Sequence, residues 1–299
     1  MDKSRSMEIS AQVGEYITLN APTVKYTDSD ICKAATELEG DLDELRSLGL
    51  LRDSIEEYFV IREFCGQSGL CDLADGHYLM RLFSEARMLD ADDLENDPFM
   101  RTVKIPEVRD GDILLTNASY ARGEIFQYDM PDLSAPLVVP KLGFFTRDVR
   151  FPAVYEGDMP WVSVCPSEIN SMKADIPRAR GRVLVLGLGL GYYTFCISES
   201  DAVDEITVAE INPRIISLFR EHILWQFPHA DKVKIVETDA VEYLRSLRGG
   251  EYDFCYADIW EGAVDGARWY MKIKPQEKKL PGTEFAYWIE PQIRSYLGL

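Results

Sequence analysis

Residues 182–195 read Arg-Val-Leu-Val-Leu-Gly-Leu-Gly-Leu-Gly-Tyr-Tyr-Thr-Phe, and no other stretch narrows the fold of this chain as far. An unbroken apolar run, 183–186, enters glycines at Gly187, Gly189 and Gly191, and a helix-like segment follows. That order predicts a buried parallel strand turning through a glycine-rich loop into a helix N-terminus. Each glycine lets the backbone approach a ligand where a Cβ would collide. Loop and helix N–H groups can then bind a carboxylate or a hydroxyl. A glycine-rich strand–helix turn that holds no ligand is the plainer reading of the same residues.

The following segments extend the pattern. The dinucleotide fingerprint is G-x-G-x-x-G; here the third glycine comes one position early, and Tyr192 fills the dinucleotide slot. A second strand is expected over 205–211, ending on Glu210-Ile-Asn-Pro213, with Asn212 as N-cap of a helix carrying Ile215, Ile216, Leu218 and Phe219. A carboxylate at that strand end can accept both ribose hydroxyls of a nucleoside held over the glycine loop; an exposed strand-end glutamate is the alternative. A third strand, 233–236, ends at Thr238-Asp-Ala240 and feeds a helix over 241–247. Asp239 can accept from an adenine amino group beside the Ala240 N–H, or serve as an ordinary N-cap. A fourth strand, 252–257, ends at Asp258-Ile-Trp-Glu261. All four deliver polar groups to one sheet edge, where ligands of open α/β sheets bind.

In this order the motifs resemble class I S-adenosylmethionine (SAM)-dependent methyltransferases. Within them the wording is most similar to the spermidine synthase-like branch, whose members read E-[IL]-D-P-x-[VI]-I after the second strand and D-A-x-x-[FY]-L after the third. The resemblance covers roughly residues 165–262. It implies a doubly wound, mostly parallel α/β sheet with SAM as cofactor. The implied cofactor-binding residues are Gly187, Gly189, Gly191, Glu210, Ile211, Asp239, Ala240 and Asp258. Asp258 is also the implied catalytic base or amine-orienting group, with Tyr192, Tyr193 and Trp260 as aromatic walls or simple packing. Glu168, in the segment before the first strand, stands where the family borders the methionine part of the nucleoside; an exposed first-turn glutamate is its alternative.

Two departures qualify the resemblance. Spermidine synthases carry D-[ST]-[ST]-D-P after the fourth strand, and the first Asp is the base for the attacking amine. This chain reads Asp258-Ile-Trp-Glu-Gly, so the first Asp is kept while the second Asp and the proline are not. Nor does Asp258 fit the N-P-P-Y pattern of amino-directed methyltransferases. Only 41 residues follow Asp258. They allow a fifth strand over 284–289 and a short helix over 291–297, but no sixth or seventh strand. The expected sheet is thus C-terminally truncated, with an edge to cover. A homodimer would cover it; residues 1–164 folding back are the competing answer.

The chain has 51 acidic and 32 basic side chains, a formal charge of −19. That balance opposes nucleic-acid binding, which needs clustered Lys and Arg, and suits a cationic or neutral small acceptor. No apolar stretch approaches the ~18–20 residues of a transmembrane helix, and no apolar segment follows the N-terminus as in a signal peptide. Cys32, Cys65, Cys71, Cys165, Cys196 and Cys255 form no C-x-x-C pair and read as buried free thiols of a reducing cytoplasm. His77, His222 and His229 are too dispersed for a metal site.

The expected organisation is a helical region over 1–102, a small β region over 103–166 and the SAM-binding α/β domain over 167–299. Helical stripes are Ile31, Ala34, Ala35 and Leu38 after an N-cap region at Thr27–Asp30; Ile55, Tyr58, Phe59 and Ile61 in 53–64; and Leu79, Leu82, Phe83 and Ala86 in 78–89. Short runs at 113–116, 124–128, 137–139, 144–145, 149–154 and 161–164, broken by Asp-Gly, Pro and Gly, predict a small antiparallel sheet. The expected function is cytoplasmic, SAM-dependent methyl transfer to a small-molecule acceptor. Aminopropyl or aminocarboxypropyl transfer is the alternative reaction, and a non-catalytic nucleoside-binding protein the alternative class.

Overall fold

The computed structural model describes residues 1–52 and 54–299. The chain divides into two compact units, Met1–Leu94 with Ser119–Arg150, and Glu95–Ala118 with Phe151–Leu299.

The first unit is helical with a small sheet. Its longer helices span Lys3–Asn20, Asp28–Glu37, Ile55–Gln67 and Gly76–Glu85. Three of the four start on a side chain that accepts an otherwise unpaired first-turn amide: Asp2 from Arg5, Ser54 from Glu57 and Asp75 from Tyr78. At the fourth, the Thr27 amide donates to the Asp30 carboxylate at 2.9 Å, where the sequence places an N-cap. Asp53, the first residue of the second expected helical segment, lies outside the described residues. Strand Lys141–Phe145 pairs antiparallel with Phe126–Asp129 and parallel with Arg87–Leu89. Val60, Ile61 and Phe64 of one helix and Tyr78 and Leu82 of another share a core with Leu142 and Phe144 of the central strand.

Two features of this unit escape the sequence patterns. The helix Lys3–Asn20 buries Ile9, Val13 and Ile17 along a stripe one residue wide, interrupted by buried Ser6 and Ser10. Ser6 is inside because its hydroxyl accepts the Val138 amide at 2.9 Å. The same bond explains why 137–139 is irregular rather than the expected strand: its central amide is claimed by a side chain instead of a ladder.

The second unit carries most of one sheet and all of another. Strands β1 (Val108–Asp110), β2 (Ile113–Tyr120), β3 (Val149–Glu156) and β4 (Met159–Ser163) form the first, in that order. The second consists of β5 (Gly181–Leu186), β6 (Val203–Glu210), β7 (Val233–Glu237), β8 (Phe254–Ala257) and β9 (Glu284–Tyr287). Its order is β7-β6-β5-β8-β9 and every pairing is parallel. This is a mixed α/β unit compatible with a Rossmann-like fold. The helices are α1 (Pro98–Thr102), α2 (Pro166–Met172), α3 (Tyr192–Ser198), α4 (Pro213–His222), α5 (Ala240–Ser246), α6 (Ala263–Ile273) and α7 (Glu290–Leu297).

The chain walks outward from β5 to β6 and β7, then returns to β8 and β9 on the other side of β5. Right-handed crossovers put α3 and α4 on one face of such a sheet and α5 and α6 on the other. That covering explains the apolar run at 183–186, every residue of which is buried. The reversal of direction falls between β5 and β8, so their carboxyl ends flank a crevice.

Three smaller outcomes follow. Asn212 caps α4 as its sequence implies, accepting from the Arg214 and Ile215 amides. All six cysteines are free; Cys65, Cys165 and Cys255 are buried and Cys196 partly so, but Cys32 and Cys71 are exposed. The expectation of buried thiols fails at those two because each sits on the outer face of its helix. No described helix is long and apolar enough to cross a membrane.

Residues ahead of β1 are part of this unit's core. Asp97 caps α1, and its other carboxylate oxygen accepts the Tyr192 hydroxyl at 3.0 Å. Phe99, fully buried, meets Tyr192 and Phe195 edge-on, with ring centroids 5.5 and 5.4 Å away. Phe99→Ala is expected to destabilise the protein by about 3–5 kcal/mol in urea unfolding, the usual cost of emptying an aromatic core site. A loss below about 1 kcal/mol would show that this cluster does not anchor α1.

Candidate functional site

The three glycines of the turn all have positive φ, +96° at Gly187, +51° at Gly189 and +76° at Gly191, which L side chains rarely adopt. Their surroundings differ. A Cβ on Gly187 would lie 2.0 Å from the Asp258 carbonyl oxygen, and one on Gly191 would lie 2.3 Å from the Phe219 ring. These two are glycine because the protein's own backbone and core come too close, which corrects the expectation that each clears space for a ligand. Only Gly189 has looser surroundings, with Val162 of β4 at 3.3 Å.

Above this turn lies a cavity of about 420 Å³, within the usual range for small-molecule sites. Every residue singled out from the sequence for cofactor binding reaches its lining. Gly187, Gly189 and Gly191 come from the turn, Glu210 and Ile211 from the end of β6, Asp239 and Ala240 from the end of β7, and Asp258 from the end of β8. Glu168 of α2, Tyr192, Tyr193 and Trp260 also line it.

Glu210 is buried, and both its oxygens face backbone amides. One accepts from Leu188 in the glycine turn at 3.0 Å, the other from Asn212 at 2.7 Å. The acid therefore ties the turn of β5 to the end of β6. An ionised carboxylate has about four acceptor positions, so each oxygen retains one. Asp239 caps α5 by accepting the Glu242 amide through one oxygen at 2.9 Å, which leaves the second for a ligand. Tyr193 and Tyr256 stack at 3.8 Å between centroids. The hydroxyls of Tyr192 and Tyr193 are spent on Asp97 and the Asp175 carbonyl, so both residues act in the wall as packing.

The other end is built differently. Neither Glu168 nor Asp258 has a side-chain hydrogen bond or a cation partner among the described residues. Each opens to the cavity's interior while its remaining sides are packed in protein. Burial pushes the Glu168 carboxyl up to about 7. Burial, with the like charge of Glu168 behind it, holds Asp258 well above the usual carboxylate range. The Tyr256 hydroxyl and Trp260 Nε1 are buried without hydrogen-bond partners.

Sequence reasoning missed several lining residues. Trp161, Trp269 and Trp288 join Trp260, so four of the chain's five tryptophans line this cavity. They come from β4, α6 and the end of β9, where a lone aromatic carries no short-range signal. Among the described residues six carboxylates line the cavity, the four above plus Glu261 and Asp265, and no Lys, Arg or His does.

No family model matches the chain, and no curated protein matches it. Among solved structures, a precorrin 8W decarboxylase from Methanobacterium thermoautotrophicum is 20% identical, with a TM-score of 0.32, over 43% of this chain and 67% of that one. A conserved hypothetical protein from Streptococcus pyogenes is 17% identical, with a TM-score of 0.29, over 36% of this chain and 64% of that one. A dimethyladenosine transferase from Plasmodium falciparum is 20% identical, with a TM-score of 0.23, over 30% of each chain. Likenesses of this size establish neither family nor activity.

Two predictions follow from the local geometry. Gly187→Ala should lose about 3 kcal/mol or more, from strain and collision with a carbonyl that cannot move independently of β8. Gly189→Ala should lose about 1–2 kcal/mol, mostly the backbone penalty, since the Val162 side chain at 3.3 Å needs to shift only a few tenths of an ångström. Urea midpoints compare them, and equal losses would refute the distinction. The second prediction concerns pH. Glu168 holds its proton more tightly folded than at its ordinary 4.5, so from that value up to its folded one stability falls as pH rises. Glu168→Gln should therefore stabilise the protein by about 1–3 kcal/mol at pH 8 and change little at pH 4. An equal offset in thermal midpoint at both pH values would contradict it.

Proposed function

We propose that the cavity binds SAM and that the protein transfers its methyl group to a small-molecule acceptor. The observation that carries this reading is Glu210, at a strand end, bonded to the Leu188 amide of the glycine turn. Its two remaining acceptor positions suit the two hydroxyls of a ribose over that turn. Ile211 beside it is 65% exposed and offers an apolar face to a base. The spare oxygen of Asp239 and the Ala240 amide suit an adenine edge. The Gly189 and Leu190 amides have no partner among the described residues and can donate to a ligand carboxylate.

Bound SAM supplies an electrophilic methyl carbon, which an oriented nucleophile attacks in line. The chain's task is then to orient the acceptor, exclude water and take a proton where the acceptor carries one. Asp258 fits the last role: it lies across the turn from Glu210, has no partner among the described residues, and burial holds its carboxyl above the usual carboxylate range. The aromatic lining excludes water.

One observation favours the second reading, aminopropyl transfer. No basic side chain lines the cavity to offset the carboxylate of SAM, and decarboxylated SAM lacks that group. The two readings separate by product. SAM with a pool of cell metabolites should yield S-adenosylhomocysteine, while decarboxylated SAM with putrescine should yield no spermidine or methylthioadenosine. Spermidine formation would overturn the assignment to methyl transfer.

Calorimetry should show saturable SAM binding that Glu210→Ala weakens by about 1.5–3 kcal/mol. A preference for NAD over SAM would refute the nucleoside assignment. Asp258→Asn should lower turnover at least about tenfold while nearly preserving SAM affinity; an unimpaired variant would remove Asp258 from the mechanism.

A further inference from the structure

We infer that the half of the cavity built on β8 and β9 binds a small organic cation, an aliphatic ammonium ion with alkyl groups on its nitrogen. Glu168 and Asp258 hold it, and the surrounding indoles enclose it. This ion is the acceptor in the reading above, and to that extent the inference rests on that reading.

Strand order divides the cavity. The glycine turn ends the central β5; Glu210 and Asp239 end β6 and β7 on one side, while Tyr256, Asp258 and Trp288 stand at the ends of β8 and β9 on the other. Nucleoside contacts fill the first side and leave the second to another molecule. There the Trp288 amide donates to the Ala257 carbonyl at 3.0 Å, and its Nε1 donates to the Ser171 hydroxyl at 2.8 Å. The residue thus spans from the end of β8 to α2, the helix that carries Glu168. With its only donor spent, its indole offers a ligand ring surface.

Four polar groups of this half lack partners among the described residues: the half-buried carboxylates of Glu168 and Asp258, and the buried Tyr256 hydroxyl and Trp260 Nε1. Two half-buried carboxylates facing an enclosed cavity with no counter-cation are costly, and among the described residues no Lys, Arg or His lines the cavity to supply one. A ligand cation does. The aromatic walls narrow its kind, through Trp161, Trp260 and Trp288; the Trp269 ring already has Lys272 and Arg268 over it, 4.3 and 4.9 Å from its centroid. Indole faces attract a cation through the ring quadrupole and need no N–H donor in return. An alkylated ammonium also loses little hydration on entering such a site, whereas a primary diamine must surrender water at both ends.

In transfer, the ammonium proton passes to one of the two carboxylates. The freed nitrogen lone pair forms the new N–C bond as the S–C bond breaks, and the S–C pair stays on sulfur. The product is again an alkylated ammonium, with S-adenosylhomocysteine.

The test needs no SAM, so its failure is distinct from failure of the nucleoside reading. Choline carries the alkylated nitrogen and a hydroxyl; 3,3-dimethylbutan-1-ol is its uncharged isostere. Binding to the full chain is followed by tryptophan fluorescence and by calorimetry. Choline should bind saturably, at least about tenfold tighter than the isostere and tighter than putrescine. Glu168→Gln should abolish most of the preference for charge. Trp288→Phe, judged against its own thermal midpoint, should weaken choline more than the isostere. No saturable choline binding, equal binding of choline and isostere, tighter binding of putrescine, or an unchanged charge preference in Glu168→Gln would each overturn the inference.

Discussion

The close approach of Gly187 to the Asp258 carbonyl is the contact on which the site depends. It lies at the switch point, where β5 and β8 run side by side while their connections leave in opposite directions. The Asp258 amide donates to the Leu186 carbonyl at 2.9 Å, so the ladder continues one step beyond β8 before the chains part. A side chain at 187 would force them apart one residue early. With glycine there, the turn and the first residue after β8 are held at a fixed separation, and the Asp258 carboxylate is delivered to the same cavity as the turn. Glu210 completes the arrangement from the other neighbour by bonding the Leu188 amide. Three adjacent strand ends are thus locked together by one close approach and one carboxylate.

Charge is the second constraint. A cavity lined by six carboxylates and no basic side chain is costly unless the acids are satisfied or neutralised. The protein uses both routes. Glu210 is satisfied by backbone amides, and Asp239 and Asp265 by helix caps. Glu168 and Asp258 have no such partner: without a ligand, burial raises both toward the protonated form, and a ligand cation can take the proton's place. The two acids left without partners, Glu168 and Asp258, are thus set apart from Glu210 and Asp239, which serve the fold at the ends of β6 and β7.

This division also governs what could be read from the sequence. The end built on β5, β6 and β7 is legible because each element there is a strand, a short turn and a helix cap contiguous in the chain. Gly187, Glu210 and Asp239 each sit at the end of an apolar run and immediately before a helix. Local pattern fixes their environment, and the parallel sheet fixes their proximity. Helix stripes in 54–86 are legible for the same reason. The stripe of Lys3–Asn20 is not, because buried Ser6 takes its place through a bond to Val138, far away in sequence. The reading of the glycines failed more subtly: a positive φ is implied by glycine, but whether a ligand or Phe219 claims the missing Cβ is a tertiary fact.

The end built on β8 and β9 has no such local grammar. Trp161 lies on an antiparallel strand, Glu168 on a short helix, Trp269 in the middle of another helix and Trp288 just past β9. In each place the residue type is compatible with ordinary packing or an exposed first turn. What marks them is convergence on a volume with unpaired carboxylates, together with the spent or missing partners of their polar atoms. Trp288 shows the logic in one side chain: its amide extends the β8–β9 ladder, its Nε1 fastens α2 through Ser171, and the ring lies in the wall. A single residue thereby couples the position of Glu168 to the end of the sheet. The chemistry at this end is set by tertiary placement, and the strand-end motifs supply only the frame on which it is mounted.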